Sequence, residues 1–108
     1  MKEFDIKKGW YGKIEGEQLP QIMNDVFGNV TEEDGAYVSK FGVLARIEAK
    51  ILSKTVIAID TVNEEGTFSD EMILDSKRAL NKFMEQATGF DAKARMKREQ
   101  KKAKEGKI

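Results

Sequence analysis

With 108 residues, 40% of them hydrophobic and 35% charged, the chain has room for one modest core under a highly charged surface. Cysteine and histidine are both absent, which excludes disulfides, thiol nucleophiles, thiolate metal sites and imidazole acid–base or ligand chemistry. The formal net charge of zero is a cancellation: residues 1–91 hold 11 Lys and Arg against 17 Asp and Glu, whereas residues 92–108 hold 8 against 2.

Residues 4–15 alternate, with Phe4, Ile6, Trp10 and Ile14 on one parity and Asp5, Lys7, Tyr11, Lys13 and Glu15 on the other. A period of two predicts a half-buried strand, which Gly9 and Gly12 interrupt with a bulge or bend. The period then changes. Leu19, Ile22, Met23, Val26 and Phe27 make one apolar helical stripe, with Pro20 suited to its first turn and Gly28 to its left-handed end. Asn29–Gly35 reads as a polar turn, with an extra short strand near Val30 as an option.

Strand character returns at Ala36 and runs to about Asn63. Ala36 and Val38 alternate with Tyr37, Ser39 and Phe41. Ala45, Ile47, Ala49 and Ile51 alternate with Arg46, Glu48 and Lys50. Ser53-Lys54-Thr55 reads as a tight connection, placing Ile57 and Ile59 opposite Ile51 and Ala49 and Asp60 beside Glu48. After Glu64-Glu65-Gly66, Thr67 or Ser69 offers an N-cap, and Ile73, Ser76, Leu80, Phe83, Met84 and Ala87 form a long stripe that Gly89 stops. The order β-α-β-β-β-α predicts an α+β two-layer sandwich: an antiparallel sheet of four to five strands with two helices on one face. Residues 1–91 form that domain, and residues 92–108 are a basic tail, frayed helix or disordered, because Met96 is nearly its only apolar residue before Ile108.

The run Phe-Asp-Ile-Lys-Lys-Gly-Trp-Tyr-Gly-Lys at residues 4–13, the helix after it and the Tyr37–Phe41 strand resemble a family of short archaeal proteins of uncharacterised function. The resemblance implies a cytoplasmic archaeal protein and carries no catalytic residues. The element pattern over residues 4–88 is similar to a TATA-box-binding-protein repeat, or a helix-grip relative, which implies a fold and no function.

Four features are candidate sites. The tail cations Lys93, Arg95, Lys97, Arg98, Lys101, Lys102 and Lys104 suit salt-sensitive contact with RNA or DNA phosphates, against the plainer reading of a solubilising extension. On the outer sheet face, Tyr37 and Phe41 with Arg46 and Lys50, joined by Tyr11 and Lys13, would interleave aromatics and cations as base stacking requires. Trp10 and Tyr11 between Gly9 and Gly12 suit either core or the mouth of a cleft, in which Met23, Phe27, Met72, Phe83 and Met84 would line an apolar ligand site. Glu32-Glu33-Asp34 and Glu64-Glu65 read as solvated turns, since neither matches a calcium loop. Met-Lys-Glu-Phe-Asp-Ile lacks the basic-then-apolar layout expected of a signal peptide, and no apolar run approaches the ~20 residues that span a bilayer.

The expected function is therefore a non-enzymatic cytoplasmic binding module, with no cofactor and no metal, that contacts nucleic acid or a ribonucleoprotein through the tail. The alternative is a protein-interaction module, homodimeric through the sheet face or by tail-to-body docking. A small apolar ligand binder comes third.

Overall fold

Alternation of apolar residues along three long strands is what lays down the sheet. The computed structural model describes residues 2–105, apart from the side chains of residues 99 and 101–105. Its strands are β1 (Lys2–Asp5), β2 (Thr31–Glu33), β3 (Ala36–Phe41), β4 (Leu44–Ser53) and β5 (Val56–Asn63). Helix α1 spans Gln18–Phe27, α2 spans Asp70–Thr88 and α3 spans Ala92–Glu105. The strands form one antiparallel sheet in the order β1-β5-β4-β3-β2. The chain is thus α+β, as its pattern predicts.

The β4–β5 register is the expected one: Ala49 pairs Ile59, Ile51 pairs Ile57, and Glu48 faces Asp60. Ile47, Ala49, Ile57 and Ile59 are buried with Leu19, Met23 and Phe27 of α1 and Phe83, Met84 and Ala87 of α2. One core holds residues from both helices and one sheet face, so α1 and α2 cover the same side. At about 25 cal/mol per Å², each such Leu, Ile or Phe contributes about 2 kcal/mol of burial. Helix ends follow local chemistry. Ser69 Oγ accepts from the Met72 N–H at 3.2 Å, and Gly28 and Gly89 close their helices in the left-handed region.

One expectation changes, and two alternatives left open take a definite form. The predicted strand over residues 4–15 pairs only as Lys2–Asp5, and Tyr11–Lys13 is a 3₁₀ turn. Gly9 adopts φ +79° and turns the chain toward α2, away from the sheet. The optional short strand near Val30 is present as β2, because Asp34 (φ 50°) and Gly35 (φ 82°) make the tight turn that a two-residue hairpin needs. The tail forms α3, started by Asp91, whose Oδ1 accepts from the Ala94 N–H at 2.8 Å.

Among the described residues, no helix is long and apolar enough to cross a membrane, and no cluster of three or more carboxylates is placed to hold a metal ion.

Candidate functional site

The segment between β1 and the 3₁₀ turn is pinned from two sides. The Ile6 N–H donates to Thr55 O at 2.8 Å at the β4–β5 hairpin, and the Lys7 N–H donates to Thr88 O at 2.7 Å at the end of α2. Trp10 then packs against the helix end, where its Nε1–H donates to Gln86 O at 2.8 Å and Lys13 Nζ sits 4.1 Å from its ring centroid. Gly89 permits this approach. A Cβ there would lie 2.8 Å from Trp10 Cδ2 and 2.9 Å from Lys7 Cβ. Lys7, Lys8 and Lys54 are consequently presented side by side from two segments far apart in sequence.

Helix α3 supplies the facing wall. Arg95 donates to Phe90 O at 2.6 Å and to Asn81 Oδ1 at 3.2 Å. Burial pulls the Arg95 pKa down, opposed by the nearby Glu85 and Asp91 charges, and the guanidinium stays cationic at any physiological pH. Arg98 Nε donates to Asp5 Oδ2 at 3.0 Å while its guanidinium stacks 4.6 Å from the Phe90 centroid. On one side of Arg98 is a cavity of about 50 Å³ between β1 and α3, lined by Phe4, Phe90 and Arg95. On the other side is an open cavity of about 760 Å³ lined by Lys7, Lys8, Tyr11, Lys54, Phe90 and Arg98. Among the described residues, its one lining carboxylate is Asp5. Four cations against one anion, with two aromatic rings in the walls, make a site for an anionic ligand that has a flat part.

The predicted site residues are divided by the fold. Of the tail cations, Lys93 and Lys97 are exposed on α3, whereas Arg95 and Arg98 bind the chain's own body. The side chains of Lys101, Lys102 and Lys104 lie outside the described residues. Within the chain, Arg98 ties α3 to β1 through Asp5.

The outer-face grouping is corrected. Tyr37 pairs Ala49 and Ser39 pairs Ile47, so the Tyr37 parity faces the helices. Phe41 packs on Phe27, with centroids 6.0 Å apart. The Tyr37 ring opposite the small Ala49, with Phe41 against Phe27, fills the space between sheet and helices better than Ala36 and Val38 can. Tyr11 and Lys13 leave the sheet with the 3₁₀ turn. Arg46 and Lys50 do lie on the open face, but Arg46 is paired with Glu48 at 3.2 Å and Glu33 at 3.4 Å. The Glu48 hydrogen bond raises the Arg46 pKa against desolvation, with the Glu33 charge adding to the rise. Glu3, Asp5 and Asp60 share that face, which makes it acidic overall. The apolar-ligand lining is also corrected. Met23, Phe27, Phe83 and Met84 interlock as core, and Met72 is 39% exposed outside it.

Sequence reasoning missed Lys7, Lys8, Lys54 and Phe90 as site residues. The Lys7-Lys8-Gly9 run and the lysine at the hairpin tip were visible, but nothing local joins them.

A small antiparallel α+β domain with a basic groove at one end is the class defined by this architecture. The chain belongs to the DUF5611 family, described as a domain of unknown function, whose family model matches residues 1–101. The match runs past Asp91 through much of α3, so the helix that walls the groove is part of the family's domain. No curated protein matches the chain, and no solved structure does.

Proposed function

We propose that the chain is a non-enzymatic cytoplasmic binding module that holds nucleic acid, by itself or in a ribonucleoprotein, through phosphate contacts at the groove and along α3. The observation that carries this reading is the convergence of Lys7, Lys8, Lys54 and Arg98 on one cavity where, among the described residues, Asp5 is the one carboxylate. Gathering three cations of a body of net −6 (residues 1–91, 11 against 17) beside Arg98 of α3 concentrates the attraction for a polyanion at one place. Exposed Lys93 and Lys97, one helical turn apart on α3, extend that attraction beyond the groove rim. The acidic open sheet face repels phosphate and limits contact to this end of the molecule. The likeness to a TATA-box-binding-protein repeat and the archaeal origin stay part of this reading, and neither contributes an argument for DNA.

The test is fluorescence anisotropy of the full chain with labelled oligonucleotides over a salt series. Each phosphate contact contributes roughly 0.7 to 0.9 to the slope of log K against log salt. A slope of about −3 is expected, and the double substitution Lys8→Glu with Lys54→Glu should reduce both affinity and slope. Absence of binding at low salt would reject the nucleic-acid reading.

A further inference from the structure

We infer that the groove accepts an unpaired strand, with a base laid against Tyr11 in the cavity that Arg98 and Phe90 also line and the flanking phosphates on Lys7, Lys8 and Lys54. This rests on the nucleic-acid reading above and specifies the form of nucleic acid. Salt-dependent attraction by itself does not discriminate a duplex from a single strand; flat side chains inside a concavity do. Tyr11 is half-buried and lines the cavity, so part of its surface faces the opening. Across from it, the Arg98 guanidinium lies over Phe90 at 4.6 Å, and Asp5 at 3.0 Å fixes its position. That arrangement presents a planar cation already oriented for stacking.

A paired base offers only its edges, at the floor of a groove, and its faces are covered by neighbouring base pairs. A flipped or unpaired base can insert its face. The cavity, about 760 Å³, lies within the ~300–1,000 Å³ range of small-ligand sites, which suits one or two nucleotides and not a duplex. The backbone also leaves room. Gly9 and Gly12 line the cavity, and a Cβ at either would meet nothing within 4 Å, so a ligand can approach the main chain closely. Lys97 and Lys93, exposed on the same helix as Arg98, add cationic charge for a strand leaving the groove along α3. The other exit, onto the open sheet face, meets Glu3, Glu48 and Asp60.

The experiment compares a labelled oligothymidylate of about 12 nucleotides, within the site sizes of single-strand binders, with a hairpin duplex carrying the same number of phosphates. Both are titrated with the full chain at one fixed salt concentration. The single strand should bind at least about tenfold tighter, the worth of one stacked base. Tyr11→Leu, with its folded state checked by circular dichroism, should weaken the single strand roughly five- to a hundredfold and leave duplex affinity and the salt slope unchanged. Tyr11→Phe should retain the wild-type affinity, because stacking needs the ring and not the hydroxyl.

Equal affinity for strand and duplex, or a folded Tyr11→Leu that binds the strand like wild type, overturns this inference and leaves the phosphate-binding reading standing. Absence of binding to either oligonucleotide overturns both. Displacement of the oligothymidylate by poly-glutamate at equal charge concentration would show that the groove recognises acidic polymers without a base, which also overturns the inference.

Discussion

Two glycines close helices in the same way and are expected to respond differently to substitution. Gly28 (φ 82°) has nothing within 4 Å of a built Cβ, whereas at Gly89 (φ 80°) that atom would strike Trp10 and the Lys7 side chain. Gly28→Ala should therefore cost only the left-handed backbone penalty, about 1 kcal/mol. Gly89→Ala adds displacement of the indole and should cost about 2–3 kcal/mol, read as a lower urea midpoint with unchanged m-value. It should also disturb the groove, since Trp10 and Lys7 move together. Trp10→Phe keeps most of the ring but leaves the partly buried Gln86 carbonyl without its indole donor, for an expected loss of about 1 kcal/mol. Neither contact is a neighbour in sequence, which is why Gly89 reads as an ordinary C-cap until the tertiary approach is known.

Among the elements, α2 is held at its start by two serines of different standing. Ser69 is an exposed N-cap, and Ser69→Ala should cost about 1 kcal/mol. Ser76 is 1% exposed. Its Oγ accepts from the Val43 N–H at 3.0 Å and donates to Met72 O at 2.8 Å. Ser76→Ala strands the Val43 N–H beside the core and should cost about 1–3 kcal/mol, more than the cap. Thermal unfolding of the two variants checks the order. The sequence shows Ser76 only as a polar interruption of an apolar stripe, and the partner across the sheet explains it. A similar polar clamp ties α1 to β3: the Asn29 side chain donates to Lys40 O at 2.8 Å and accepts from the Lys40 N–H at 2.9 Å. Ser39 Oγ donates to Asn29 O at 2.6 Å, which lets a buried serine sit on the inner face.

At the scale of the molecule, charge is arranged by end and by face. Four cations border the groove, the open sheet face is acidic, and α3 connects the two through Arg98 and Asp5. That ion pair is half-exposed on the arginine side, so Arg98→Ala should lower stability by only about 0.5–1 kcal/mol. Its larger effect should be local. Amide exchange in α3 should rise by more than in α1 or β4, because the helix has few apolar contacts to hold it once the anchor is gone. Uniform protection across all three elements in the variant would show that Arg95 by itself holds α3 in place. Edge protection follows from the same packing. β1 is an edge strand, and α3 lies beside it across the cavity lined by Lys2–Asp5, which limits pairing with another chain.

The sequence by itself determined the elements and much of their order. Period-two and period-3.6 patterns, Gly28 and Gly89 as stops, Ser69 as a cap option and the β4–β5 register are all local or nearest-neighbour properties, and local sterics decide them. The tertiary structure decided which side of β3 is covered. Both parities of that strand carry apolar residues, and only packing against Phe27 and Ala49 turns Tyr37 and Phe41 inward and leaves Arg46 and Lys50 outside. It also decided the candidate site. Alternation over residues 4–15 promised a continuing strand, but Gly9 and the Lys7–Thr88 hydrogen bond send the chain to α2 instead. Lys7, Lys8, Lys54 and Arg98 belong to three separate segments. Their convergence depends on chain crossings that no window of sequence contains, because the energy that brings them together comes from the core beneath them and not from the lysines.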